Sequence, residues 1–221
     1  MTRVEFDHQL QELRGGVVAM ASMVDKAILR SVDALKRQDV QLAQEVRQAD
    51  AGINRHRWQI EEQAFQVIAM QAPMAGDLRM VSAVIHITTD LERMADHAAG
   101  IAKIVVETAN EPLLKPLVDI PRMSELARAM LNDSITSLIE EKPDDALAII
   151  SRDDEVDVLY DQVYRELLTY MMADPSTINR ATHLLWAAHN VERIADRVTN
   201  ICERVIFALT GRMEEIAVST Y

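Results

Sequence analysis

Cysteine is almost missing from this chain. Cys202 stands alone, which excludes an internal disulfide and leaves no thiolate set for a metal. Aromatic residues make up only 4 % of the 221, and there are just six glycines and six prolines. That scarcity, beside twelve methionines and abundant Ala, Leu, Ile, Val, Glu and Arg, is the composition of helical bundles. Their cores need flexible or unbranched side chains more than aromatic slabs. No apolar run approaches the roughly 18–20 residues that cross a bilayer, and Met1-Thr2-Arg3-Val4 opens no basic, apolar leader. A soluble, cytoplasmic chain without direct membrane insertion is expected. Positive charge is also short: 23 bases face 35 acids, a net charge of −12. A nucleic-acid binder needs a basic face, so that class is excluded, and cations or basic protein surfaces become the natural partners. Glycine-rich phosphate loops, Ser-His-Asp sets and paired Glu-x-x-His units are absent, so an enzyme is not expected.

What the chain does have is a repeat. Leu91-Glu92-Arg93-Met94-Ala95-Asp96 returns 100 residues later as Val191-Glu192-Arg193-Ile194-Ala195-Asp196. Apolar residues recur at helical spacing nearly throughout, and the breaks fall at Asp39, at 71–77, at 111–121, at 141–144 and at Asp174-Pro175. The spacing predicts six helices, over 2–38, 39–71, 75–109, 120–142, 144–172 and 175–212. Asp50 and Ile53-Asn54 correspond to Asp153 and Val156-Asp157 at an offset of 103. The expected architecture is all-α: two pseudo-symmetric antiparallel three-helix bundles, residues 1–111 and 112–221.

Acids four residues apart on a helix are separated by about 40° of rotation and roughly 6 Å of rise, so both carboxylates leave one face. Like charges so placed repel by a few tenths of a kcal/mol. One such pair most simply lies on a solvated face. Repetition weighs against that reading. Glu92/Asp96 and Glu192/Asp196 each have a counterpart on the preceding helix, Asp50-x-x-x-Asn54 and Asp153-x-x-x-Asp157. Two converging pairs supply an oxygen cage suited to Mg²⁺, Ca²⁺, Mn²⁺ or iron, and His189 beside the second cage could admit zinc or nickel. On each motif helix the acids stand opposite the apolar stripe, so they are expected to face solvent or a partner. His97 beside Asp96 meets the geometric requirement of a phosphotransfer histidine, but as a lone histidine on a helix it is expected instead at an interface or merely exposed. His56, His86 and His183 are expected at interfaces or exposed, Trp58 and Trp186 in the core or at an interface, and the methionines as packing fillers.

The duplicated run through Asp96-His97-Ala98 and Asp196-Arg197-Val198-Thr199-Asn200-Ile201, with Phe6-x-x-x-Leu10-x-x-Leu13, Met20 and Asp50-x-x-Ile53-Asn54, resembles the signature of the PhoU family of phosphate-signalling regulators. The likeness spans Phe6 to Val205 in order and spacing. It implies two three-helix bundles and a negative regulator of phosphate-starvation signalling and phosphate transport. Its implied partners are the ATPase subunit of the phosphate ABC transporter and a membrane sensor histidine kinase, and a homodimer is the expected assembly. It further implies metal, among iron, zinc, manganese or magnesium, on Asp50, Glu92, Asp96, Asp153, Asp157, Glu192 and Asp196. Asn54 in place of an acid, and Gly100 opposite Asn200, leave the first-half site the poorer. A carboxylate-bound metal enzyme and a purely structural helical scaffold are the alternatives.

Overall fold

The computed structural model describes residues 3–212. Seven α-helices follow in order: α1 (Arg3–Arg37), α2 (Val40–Gln71), α3 (Gly76–Glu107), α4 (Asp119–Glu140), α5 (Pro143–Ile150), α6 (Asp153–Ala173) and α7 (Ile178–Thr210). No strand occurs among the described residues. Met1 and Thr2 of the expected first bundle (Thr2 also the start of its first helix), and 213–221 of the expected second bundle, lie outside them.

The helix ends follow from local chemistry. Asp39 caps α2 by accepting the Leu42 N–H at 2.9 Å. Gln38, Ala72, Glu141 and Gly211 take left-handed backbone at four helix ends. There the chain turns back onto free carbonyls: the Asp39 N–H reaches Ala34 O, and the Lys142 N–H reaches Ser137 O. Asp174 accepts the Ser176 N–H and starts a single 3₁₀ turn, Pro175–Thr177, ahead of α7. The expected start at Asp174-Pro175 is therefore present, but the α-helix proper begins three residues later.

One expected helix is broken. Residues 144–172 form α5 and α6, separated by Ser151 and Arg152. Three consecutive acids, Asp153, Asp154 and Glu155, make the first turn of α6. The two aspartates are mediocre inside a helix, and all three acids are favourable at its positive N-terminal end. Arg152 pairs with Asp133 of α4 at 2.5 Å, tying the break to its neighbour.

Each half is a three-helix bundle, α1–α2–α3 and α4–α5/α6–α7, and the two lie side by side. Helices α1, α3, α7 and α4 pack in a closed ring, with α2 against α1 and α3, and α6 against α4 and α7. The predicted stripes are buried: Val84, Leu91, Met94, Ala98, Ile101 and Val105 on α3, and Val191, Ile194, Val198, Ile201, Val205 and Ala208 on α7. Both belong to one continuous apolar cluster. Met20, Met94 and Met130 fill it, whereas Met70 and Met172 are exposed. Trp58 and Trp186 are not core residues, being 61 % and 53 % exposed. Each lies on the outer side of its helix, away from the stripe.

The seam between halves carries paired polar contacts. The Arg128 guanidinium of α4 grips Asp25 of α1 with two bonds, 2.8 and 2.9 Å. Between α3 and α7, Arg197 stands 3.6 Å from Asp90, and the Asn200 amide faces the same carboxylate and favours its charged form. At the other end of the crossing, His97 donates from Nδ1 to Asn190 Oδ1 at 3.0 Å. A Cβ on Gly100 would sit 3.0 Å from that oxygen, so glycine makes room for the Asn190 amide. Position 90 thus meets 197 and 200, and its equivalent, position 190, meets 97 and 100, in a pseudo-twofold exchange. This corrects one expectation: Gly100 and Asn200 belong to the seam and not to the acidic sites. The His97 ring, half-buried and bonded across the seam, stands at an interface as expected and is not presented for phosphotransfer.

Ile194 is fully buried. Its truncation to Ala should lower unfolding free energy by about 2–5 kcal/mol in urea denaturation. A loss below roughly 0.5 kcal/mol would mean that the site collapses onto the gap.

Candidate acidic sites

Two acidic clusters form where the outer helix of each half crosses its motif helix. In the first, Asp50 of α2 faces Asp96 and Glu92 of α3. Asn54, one turn on, donates to Asp50 Oδ2 at 3.1 Å, and Asp50 Oδ1 is buried without a partner. Arg57 follows on the same face. Its Nε lies 2.9 Å from Glu61 Oε1 and its Nη1 3.2 Å from Glu92 Oε1. Burial and the Asp96 charge raise the Glu92 pKa, and the Arg57 guanidinium opposes them. Burial, then Asp96, also raises Asp50.

In the second cluster, Asp153 and Asp157 of α6 meet Glu192 and Asp196 of α7. Asp153 is only 3 % exposed, and its Oδ1 finds no hydrogen bond. Burial, followed by the charges of Asp157, Asp196 and Glu192, pushes its pKa to about 7. Glu192 is raised to about 7 as well, by burial first and by Asp196 second. Asp157 moves the same way, for burial and for Asp196. The His189 Nδ1 stands 3.2 Å from Glu192 Oε2, yet that oxygen has no hydrogen bond of acceptable geometry. Burial lowers the His189 pKa, which favours a neutral imidazole with a lone pair to offer. Arg193 reaches Asp196 at 2.9 Å along its own helix.

All seven expected site residues therefore fall into the two clusters, Asp50, Glu92 and Asp96 in one and Asp153, Asp157, Glu192 and Asp196 in the other. The expectation that they face away from their own bundle holds only in part. Glu192 and Asp153 are drawn into the α6–α7 seam, because the helix crossing brings the flank of α7 under α6. As the side chains stand, no three His, Cys, Asp or Glu groups among the described residues are drawn close enough to hold a metal ion. Binding one requires carboxylate rotation. The donor chemistry fits a hard or borderline cation, since oxygen ligands dominate and the buried Asp153 Oδ1 lacks any partner. Sequence patterns did not single out Arg57, Glu61 or Tyr160. Tyr160 occupies the α6 position facing Glu192, with its ring 6.0 Å from that of His189.

The raised carboxyl values have a definite sign. A folded-state pKa above the unfolded one means that the native protein holds the proton more tightly, so stability is highest in acid and falls as pH rises toward about 7. Without divalent cations, the parent should lose roughly 1.4 kcal/mol per pH unit for each net proton held by Asp153 and Glu192. The Asp153→Asn, Glu192→Gln double variant should lose less. Urea midpoints between pH 5 and 8, with chelator present, decide this, and equal slopes would assign the protons elsewhere.

The sequence matches the family model for the PhoU domain twice, over residues 17–105 and 120–205. A phosphate-specific transport system accessory protein PhoU homolog of Aquifex aeolicus is 43 % identical over 185 residues, 84 % of either chain. The homolog of that name in Clostridium acetobutylicum is 36 % identical over 217 residues, covering 98 % of this chain and 99 % of its own. The crystal structure of PhoU from Pseudomonas aeruginosa superposes with a TM-score of 0.89 at 32 % identity, covering 94 % of this chain and all of that one. With the internal duplication and the two helical bundles, these matches are decisive: the chain belongs to the PhoU family.

Proposed function

We propose that this protein is an accessory regulator of phosphate transport that works as a cytoplasmic adaptor and not as an enzyme. The observation carrying this reading is the full-length match to proteins named phosphate-specific transport system accessory proteins. No helix among the described residues is long and apolar enough to cross a membrane, so a docking role beside a transporter fits better than a channel role. In this reading the acidic faces engage basic surfaces on the transporter's ATPase subunit and on a sensor histidine kinase. Phosphate status is transmitted by which complex forms, and the protein acts as a homodimer.

A metal on those faces fits the residues. Asp153, Asp157, Glu192 and Asp196 would hold it in the second half, and the ion would supply positive charge that relieves carboxylate repulsion. The protein's own contribution is to keep four acids on two rigid helices, with Asp153 desolvated. An enzyme with a carboxylate-bound metal needs a substrate cavity beside the acids. The clefts found at α1–α2, at α4–α5 and at the start of α7 are lined by other residues.

Mn²⁺ at a hundred times its Kd should stabilise the parent by about 2.7 kcal/mol through linkage. The Glu192→Gln, Asp196→Asn variant should lose most of that increment and bind purified transporter ATPase at least tenfold more weakly in calorimetry. Unchanged ATPase affinity in the variant would remove the acidic face from the docking surface.

A further inference from the structure

The offset that places Asp153 on Asp50 and Asp157 on Asn54 also places Tyr160 on Arg57 and Tyr164 on Glu61. The two clusters therefore differ in kind. In the first, the facing helix brings its own cation. The Arg57 guanidinium bridges Glu61 and Glu92, and the Asn54 amide takes an Asp50 oxygen. In the second, the facing helix brings two carboxylates and a phenol. Glu192 receives no guanidinium from α6, and Asp157 replaces the Asn54 amide with another acid. Each cluster keeps one buried carboxylate oxygen without a donor, Asp50 Oδ1 in the first and, on a residue only 3 % exposed, Asp153 Oδ1 in the second. Each motif also carries its own arginine; Arg193 pairs with Asp196 along α7, so the difference between the clusters lies in what the facing helix brings to Glu92 and Glu192.

We propose that the halves are unequal by construction: Arg57 fills in the first cluster the place that a divalent cation takes among Asp153, Asp157, Glu192 and Asp196, so cations load the second half alone. This rests on the metal-bearing reading of the acidic faces given above. A fixed guanidinium beside Glu92 repels an incoming cation and already occupies one Glu92 oxygen. Tyr160 does neither.

The test counts Mn²⁺ bound per chain by titration calorimetry and electron paramagnetic resonance on the full chain, with melting followed in parallel. The parent should lose all bound Mn²⁺ on Asp153→Asn with Glu192→Gln. It should keep its full count on Asp50→Asn with Asp96→Asn. Arg57→Met should double the count, and Arg57→Lys, which keeps a cation there, should leave it at the parent value. If the Asp50, Asp96 variant loses half of the bound Mn²⁺, the halves are equal and the inference is overturned while the metal reading stands. If the parent binds no Mn²⁺ at all, the metal reading falls and the inference with it. Should Arg57→Met not fold, the Asp50, Asp96 variant still decides.

Discussion

Antiparallel packing of α3 on α7 sets where every other part of the molecule stands. These helices share the most extensive interface in the fold, and each also carries the acidic motif of its half. With their apolar stripes spent on the common core, only their flanks remain to meet α2 and α6. That constraint puts Glu92 and Asp96 against Asp50, and Glu192 and Asp196 against Asp153 and Asp157. The acids are thus held in two helix crossings by packing that involves none of them. A carboxylate placed this way cannot relieve repulsion by moving its helix, because the stripe beneath it is buried.

The seam shows how the duplication was fitted together. At one end Asp90 meets Arg197 and Asn200, and at the pseudo-equivalent end Asn190 meets His97 and the gap left by Gly100. A strictly repeated sequence would have set identical groups at both ends. Had Asp stood at 190 as at 90, its charge would face His97, whose pKa burial already lowers. The neutral Asn190 instead completes a hydrogen bond without a buried charge. One end is therefore ionic and the other neutral, so the halves are related by fold but distinguishable along the seam.

Much of this was legible in the sequence, for reasons that also mark its limits. Helix order, the breaks at Asp39 and Asp174 and both apolar stripes are periodic signals, and periodicity survives into the structure because burial generates it. Convergence of acids was legible only through the repeat at offsets of 100 and 103. The break at Ser151-Arg152 was hidden because the apolar period runs across it, although three acids in a row after Ser151 are a helix-start signal. Trp58 is not in the core, where size alone would put it, because its angular position lies well off the stripe of Ile53, Ile60, Ala64 and Val67. Gly100 and Asn200 were assigned to the wrong contact because a motif read along one helix does not say which neighbour lies across it.

The same limit explains why Arg57 and Tyr160 stayed unseen. Each owes its role to a residue on another helix, Glu92 or Glu192, and neither contact leaves a trace in local periodicity. Aligning the halves on their second helices rather than on the repeated motif exposes the exchange at once. Duplication supplies two copies of one frame, and the frame tolerates any polar residue at a crossing that keeps the stripes buried. Divergence is then free to act on charge alone. A guanidinium on one outer helix ties Glu61 and Glu92 into an internal ion-pair bridge. A phenol at the same place leaves the other set strained by its own repulsion and therefore responsive to whatever positive charge reaches it. The fold does not need that second set to be satisfied from within, because the α3–α7 core holds the helices regardless.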